Sequence, residues 1–280
     1  MKNLHVVMGG LGKTVLFTSL LPSLCEKDDT DKVSIMTAWP FVFQFNKYVH
    51  GIEPPAGWQF LAELTMYDNI IYHEPYLSNY IKEADLHILD AWADMYGIDR
   101  VPPKPIVNFN PDSFFEEEGL IDEYELSEPF QKKEYCVVQF NGGKSGGPTD
   151  RNEPRDYRLD LVQKLISKIR NQLDLDVVCF RHEVDPKPSN TITFKSKTER
   201  GTLGIVPIIN KAKFVVCIDS ALMHLSALTD KNEKTIVLWN YGQTTPERIG
   251  YKFQTNIIHN SDMVLDVDPQ IVFDKIQEVL

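Results

Sequence analysis

"FVVCIDSALMHLSALTDKNEKTIVLWNYGQTTPERIGY", residues 214–251, decides how the chain is read. Phe214–Ile218 is an apolar, β-branched run of the length of a buried strand. It ends in Asp219-Ser220, and the spacing predicts a helix over Ala221–Leu228 directly after, carrying Met223 and His224. A second strand, Thr235–Trp239, ends in the polar loop "NYGQTTPERIGY". Asp219 or Ser220 is placed to cap the helix and leave N–H groups free for a phosphate. Taken singly, an Asp-Ser cap and a helix histidine are ordinary features. In this order they put polar residues at the carboxyl ends of neighbouring strands, where open α/β sheets bind ligands.

The same alternation extends over the rest of the second half. Tyr135–Phe140, Val177–Phe180 and Thr191–Phe194 read as strands, and Leu159–Asn171, Leu203–Asn210 and Pro269–Val279 as helices. The first half repeats the pattern. Strands are expected at Leu4–Met8 and Val33–Met36, with shorter apolar runs at Asn69–Tyr72 and Leu86–Leu89. Helices are expected at Thr14–Cys25, Phe41–Val49, Tyr76–Glu83 and Ala91–Tyr96, the last stopped by Gly97. Between the halves, "VPPKPIVNFNPDSFFEEEGLIDEYELSEPFQKKE" is rich in proline and acid and reads as a linker. The fold class that follows is α/β: two Rossmann-like domains facing a central cleft, 1–118 and 119–280.

The N-terminal stretch "VVMGGLGKTVLFTSLLPSL", residues 6–24, looks like a phosphate loop. A Walker A loop needs a glycine five positions before Gly-Lys-Thr, and that position is Val7. The loop is too short to wrap a triphosphate. Gly10 and Gly12 instead mark a tight strand-to-helix turn that lets backbone approach a ligand.

The chain has 280 residues, 42% of them hydrophobic, enough to build real cores. No apolar run reaches membrane-spanning length and no signal peptide is evident, so a cytoplasmic protein without integral membrane contact is expected. The four cysteines are far apart, which suits buried thiols in a reducing compartment rather than a disulfide frame or a zinc site. A net charge of −11 argues against a generic nucleic-acid coat, though basic residues gather at Lys144–Arg158 and Lys195–Arg200.

Residues 214–251 resemble the donor-binding region of glycosyltransferase family 9, the heptosyltransferase-like enzymes. That family carries Asp-Ser/Thr-Gly-x-x-His-Leu, a strand, and then a Gly-x-Thr-x-Pro loop. Here the residues are Asp219-Ser220-Ala221-Leu222-Met223-His224-Leu225 and Gly242-Gln243-Thr244-Thr245-Pro246. Leu11-Gly12-Lys13 and Leu21-Pro22-Ser23-Leu24 are similar to the family's N-terminal Leu-Gly-Asp turn and late Pro-x-Leu. The turn also resembles the Gly-Gly-Leu-Gly-Asp loop of starch and glycogen synthases.

The resemblance implies the GT-B architecture and transfer of a sugar from a nucleotide-sugar donor to an acceptor hydroxyl, by direct inverting displacement, with no metal and no cofactor. It implies donor contacts from Gly10, Gly12, Asp219, Ser220, Met223, His224, Gly242 and Thr244. In the loop "FNGGKSGGPTDRNEPRDYR", Lys144, Arg151 and Arg155 are candidates for the donor diphosphate, and Arg181 for the nucleoside. One position departs from the pattern: the family's aspartate after Leu-Gly, its catalytic base, is Lys13 here. A lysine of ordinary pKa is protonated at neutral pH and cannot take a proton. Lys13 is then expected to bind an anion, and the base to come from Asp90, Asp94, His73 or Glu74, with Asp90, at the end of "ADLHILD", preferred. "DVD" at Asp266–Asp268 has the spacing of a metal motif but reads better as a helix cap.

The resemblance implies a glycan or another hydroxyl compound as the acceptor. Three alternatives stand beside this reading: a phage-type enzyme whose acceptor is hydroxymethylated DNA, an inactive nucleotide-sugar binding protein, and a sugar-nucleotide epimerase of the same architecture.

Overall fold

The computed structural model describes residues 2–44, 46–53, 64–77, 86–106, 124–142, 154–181, 185–198, 200–240, 244–260 and 264–280. The chain forms two compact units. The first comprises Met1–Phe109 with Glu247–Ile249, and the second Asn110–Pro246 with Gly250–Leu280. The boundary expected between 118 and 119 falls outside the described residues.

The first unit is built on a parallel sheet of β1 (Asn3–Val7), β2 (Val33–Thr37), β3 (Val49–Glu53) and β4 (Asn69–Tyr72), in the order β3-β2-β1-β4. Helix α1 (Leu11–Phe17) leaves β1 through Gly9 and Gly10. A single 3-10 turn joins it to α2 (Leu21–Lys27), whose second residue is Pro22. The helical stretch thus starts three residues before the expected Thr14. Phe17 sits at the centre of the core, with its ring edge-on to Trp92, Phe43 and Tyr96.

Two expectations fail in this unit. Phe41–Val49 is not a helix: Pro40–Val42 makes one 3-10 turn, and Val49 already begins β3. Asn46 explains the break, because its carboxamide accepts from Tyr48 N and donates to Ile106 O, local bonds that compete with a helix. The start expected for the helix at Ala91–Tyr96 is wrong too: the helix begins three residues earlier, inside the apolar run Leu86–Leu89. His87 caps helix α3 (Ile88–Tyr96), its ring accepting from Leu89 N, and Gly97 closes the helix in the left-handed region at φ 61°. Of the helix expected at Tyr76–Glu83, only a 3-10 turn at Pro75–Leu77 lies among the described residues.

The second unit carries a seven-stranded sheet of β5 (Tyr124–Leu126), β6 (Tyr135–Gln139), β7 (Asp176–Phe180), β8 (Ile192–Ser196), β9 (Val215–Ile218), β10 (Thr235–Asn240) and β11 (Thr255–His259). The order is β11-β10-β9-β6-β7-β8-β5. All pairings are parallel except the edge strand β5, which runs antiparallel to β8. Helices α4 (Leu159–Leu173) and α7 (Pro269–Val279) cover one face, packing Leu161, Leu165, Ile169, Val272, Phe273 and Ile276 against it. Helices α5 (Ile205–Lys211) and α6 (Ala221–Ser226) follow β8 and β9. With both faces covered, the inner strands are apolar throughout rather than alternating.

Candidate functional site

Each sheet has one place where the strand order turns back. In the first it lies between β1 and β4, because β2 and β3 build outward on one side and β4 is added on the other. In the second it lies between β6 and β9 for the same reason. Loops leaving the carboxyl ends of such a pair diverge and open a crevice, the general ligand position of open α/β sheets.

At the second unit's turning point, Gln139 ends β6 and Asp219-Ser220 follow β9. Gln139 Oε1 accepts from Ser220 Oγ at 2.6 Å and from Leu222 N at 3.2 Å. The cap of α6 is therefore not the Asp219 or Ser220 side chain that the sequence suggested. It is a carboxamide from the neighbouring strand, while Ser220 Oγ donates to it and to Ile218 O. Gln139 shows in the sequence only as the polar end of an apolar strand.

Arg155 reaches the same point, its Nη1 3.3 Å from Asp219 O and 3.9 Å from Asp219 Oδ2. Burial pushes the Asp219 carboxyl up from 3.8 to about 6, and the Arg155 cation pulls it partly back. The stem of the glycine-rich loop is firmly closed: Gly142 N donates to Asp156 Oδ1 and Tyr157 N to Phe140 O. Asn240, ending β10, donates to Pro154 O at 2.7 Å, and Thr244 N donates back to Asn240 O.

Met223 and His224 are buried in α6. His224 Nδ1 is 2.8 Å from the Tyr251 hydroxyl, and Met223 O accepts from Gln254 Nε2. Both residues tie the α6 helix to the segment after β10. Arg181 leaves the end of β7 and donates to Asp185 O. Lys144, Arg151 and Gly242 lie outside the described residues.

At the first unit's turning point, Gly9 rather than Gly10 or Gly12 is the residue that must be glycine. Its φ is 115°, and a Cβ there would stand 3.0 Å from Lys13 Cδ. Gly10 has an ordinary extended backbone as the cap residue of α1, and Gly12 is buried in its first turn. Trp39, after β2, donates from Nε1 to Gly9 O at 2.8 Å and holds the turn.

Lys13 is buried and does not stand open to an anion. Its Nζ lies 2.6 Å from both Glu74 oxygens, with the Tyr76 and Trp92 rings 4.9 and 5.5 Å away. Burial lowers its pKa, and the Glu74 carboxylate opposes that shift. Asp90 lies in the first turn of α3, with Arg100 3.8 Å away. Asp94 also faces Arg100, and His73 stacks edge-on against Tyr96.

Asp268 caps α7 through Gln270 N, as the cap reading of "DVD" has it, and Asp266 pairs with His259. Among the described residues no three histidine, cysteine or acidic side chains cluster to hold a metal ion. The four cysteines are buried and unpaired.

Residues 203–270 match the model of "Glycosyltransferase family 9 (heptosyltransferase)". No curated protein matches the chain. Among solved structures, the E. coli heptosyltransferase WaaC with ADP is 13% identical, with a TM-score of 0.67 and full coverage of both chains. The E. coli ADP-heptose LPS heptosyltransferase II is 15% identical, with a TM-score of 0.66, over 100% of this chain and 98% of that one. A family 9 glycosyltransferase from Veillonella parvula DSM 2008 is 12% identical, with a TM-score of 0.64, over 99% and 96%. The DNA-acceptor alternative finds no support in these similarities. Residues 203–270 thus resemble family 9 glycosyltransferases, and the fold along the whole chain is similar to that of the heptosyltransferases.

Proposed function

We propose that the chain transfers a sugar from a nucleoside-diphosphate donor to an acceptor hydroxyl, with inversion and without a metal. Residues 119–280 hold the donor and residues 1–118 the acceptor. The observation that carries this reading is the convergence of Gln139 and Arg155 on Asp219 and Ser220 where β6 and β9 diverge, the last two inside the family-matched segment. Arg155 is the cation placed there to neutralise a leaving diphosphate. Ser220 and Gln139 fix the backbone that the donor meets. His224, Met223 and Thr244 brace that edge, with Lys144, Arg151 and Gly242 as further donor contacts. Because similar structures are named for ADP and ADP-heptose, these are the first ligands to try.

Calorimetry with ADP should give a Kd in the range of about 1 µM to 1 mM, as enzyme substrates do. Arg155→Ala should weaken it about tenfold to a hundredfold, the value of a hydrogen bond to a charged group. ADP release from ADP-heptose should persist in EDTA, and the product should carry the opposite anomeric configuration. A folded chain that binds no ADP, UDP or GDP would sink the reading. One that binds a donor but turns over neither with water nor with a hydroxyl acceptor is a binding protein instead.

A further inference from the structure

Lys13 and Glu74 are an unusual pair. Lys13 is buried and Glu74 half-buried, with side chains 8% and 14% exposed, and they meet where β1 and β4 diverge. Lys13 comes from the first turn of α1, and Glu74 from two residues past the end of β4. A charged pair withdrawn from water costs much of what its attraction returns, so it is weak evidence of stability alone. Its position at the ligand crevice of the sheet calls for a second account.

The surroundings supply one. Glu74 Oε1 also accepts from Tyr76 N at 3.3 Å, and Oε2 from the Tyr72 hydroxyl at 3.2 Å. The Tyr72 bond is long for O–H to oxygen, and Tyr72 is half exposed. It is therefore the donor that an incoming hydroxyl would replace. Tyr76 is 39% exposed beside it, so two partly exposed aromatic side chains adjoin the carboxylate. Aromatic surface next to a half-buried, oriented carboxylate suits a sugar, whose C–H faces are apolar and whose hydroxyls donate. Asp90 has none of these neighbours: it faces Arg100 from the first turn of α3.

We propose that Glu74 is the catalytic base toward the acceptor hydroxyl, that Lys13 is the positioning residue holding its carboxylate, and that Tyr72 and Tyr76 form the acceptor platform. This rests on the transferase reading above. In the step, the acceptor's O–H proton passes to a Glu74 oxygen. The acceptor oxygen forms a bond to the anomeric carbon as the bond from that carbon to the diphosphate oxygen breaks. The electron pair of the broken bond leaves with the diphosphate. Lys13 is not the anion site or the base. Its ammonium, 2.6 Å from both carboxylate oxygens, keeps Glu74 aimed.

The test uses the full chain, ADP-heptose as donor and water as acceptor, read as released ADP, with ADP calorimetry alongside. Glu74→Gln should lower kcat about 10²–10⁴-fold, the usual worth of a general base, and leave ADP affinity within threefold. Lys13→Met/Glu74→Gln removes both charges, leaves neither buried alone, and should stay folded and equally inactive. A folded double variant that keeps the wild-type rate overturns the assignment.

Among the described residues, the groups facing Glu74 are Lys13 from α1, Tyr72 from β4 and Tyr76 beyond it. Lys13→Met should lower kcat and leave ADP affinity within threefold, because the carboxylate loses the ammonium that aims it. Lys13→Arg, which can hold both oxygens, should restore most of kcat. A folded Lys13→Met with the wild-type kcat overturns the positioning role. A wild-type chain that binds no ADP, UDP or GDP overturns the transferase reading and this one with it. Wild-type turnover with an equally fast Glu74→Gln overturns this one alone.

Discussion

Asp219 ends β9 with its carboxyl enclosed, and Arg155 is the cation beside it. Its pKa, raised from 3.8 to about 6 by burial, has a consequence for stability. A carboxyl that protonates more readily in the fold than in the unfolded chain favours the fold at low pH. That contribution is complete below pH 3.8, falls as pH rises through about 6, and is gone above. Asp219→Asn removes the ionisation. Urea denaturation should show the variant gaining on wild type by up to about 3 kcal/mol at neutral pH, at 1.36 kcal/mol per pKa unit, and by little near the carboxyl's unfolded pKa. An equal difference at both pH values would mean that the carboxyl ionises as it does unfolded. Asp219 was legible in the sequence because a strand end meets a helix start there. Gln139 was not, because the bond that gives it a role joins the end of β6 to the first turn of α6, 83 residues further along the chain.

At the scale of elements, β5 is the instructive case. It lies within the acidic, proline-bearing stretch that reads as linker, and three residues carry little periodicity. It forms because Tyr124 stacks on Phe194 of β8 and packs against Gly204. A Cβ on Gly204 would stand 2.2 Å from Tyr124 Cδ1, so the glycine is there for space. Gly204→Ala should cost about 1–3 kcal/mol in thermal or chemical unfolding, the usual cost of overpacking. Tyr124→Ala opens that space, so the double variant should lose less than the sum of the two singles. Additive losses would show that the two residues do not meet. The long amphipathic helix α4 and the run of β6 were readable from pattern alone, since each buries one local face or strip that its own sequence encodes.

At the scale of the whole molecule, charge and topology divide the work. A net charge of −11 opposes a polyanionic partner, since a nucleic-acid binder gains most of its affinity by neutralising phosphates. A short labelled DNA duplex should give no change in fluorescence anisotropy at physiological salt. Tight, salt-sensitive binding would overturn this and reopen the DNA acceptor. Among the described residues no helix is long and apolar enough to cross a membrane. The two turning points in strand order, one per sheet, are properties of the chain's path and of no single segment.

The sequence by itself determined the two α/β halves, the strand–helix–strand unit around Asp219-Ser220, and the replacement of the expected aspartate by Lys13. Periodicity, strand-ending polar residues and glycine turns are local, and local pattern is what a sequence displays. Only the tertiary structure decided what Lys13 meets. Its ammonium meets Glu74, a residue 61 positions away, because β4 adds beside β1 and carries Glu74 to the same sheet edge. The sequence named Glu74 as one of four carboxylate or histidine candidates and preferred Asp90. It could not rank them, since the ranking depends on which strand lies next to β1, and that is set by the packing of the whole sheet.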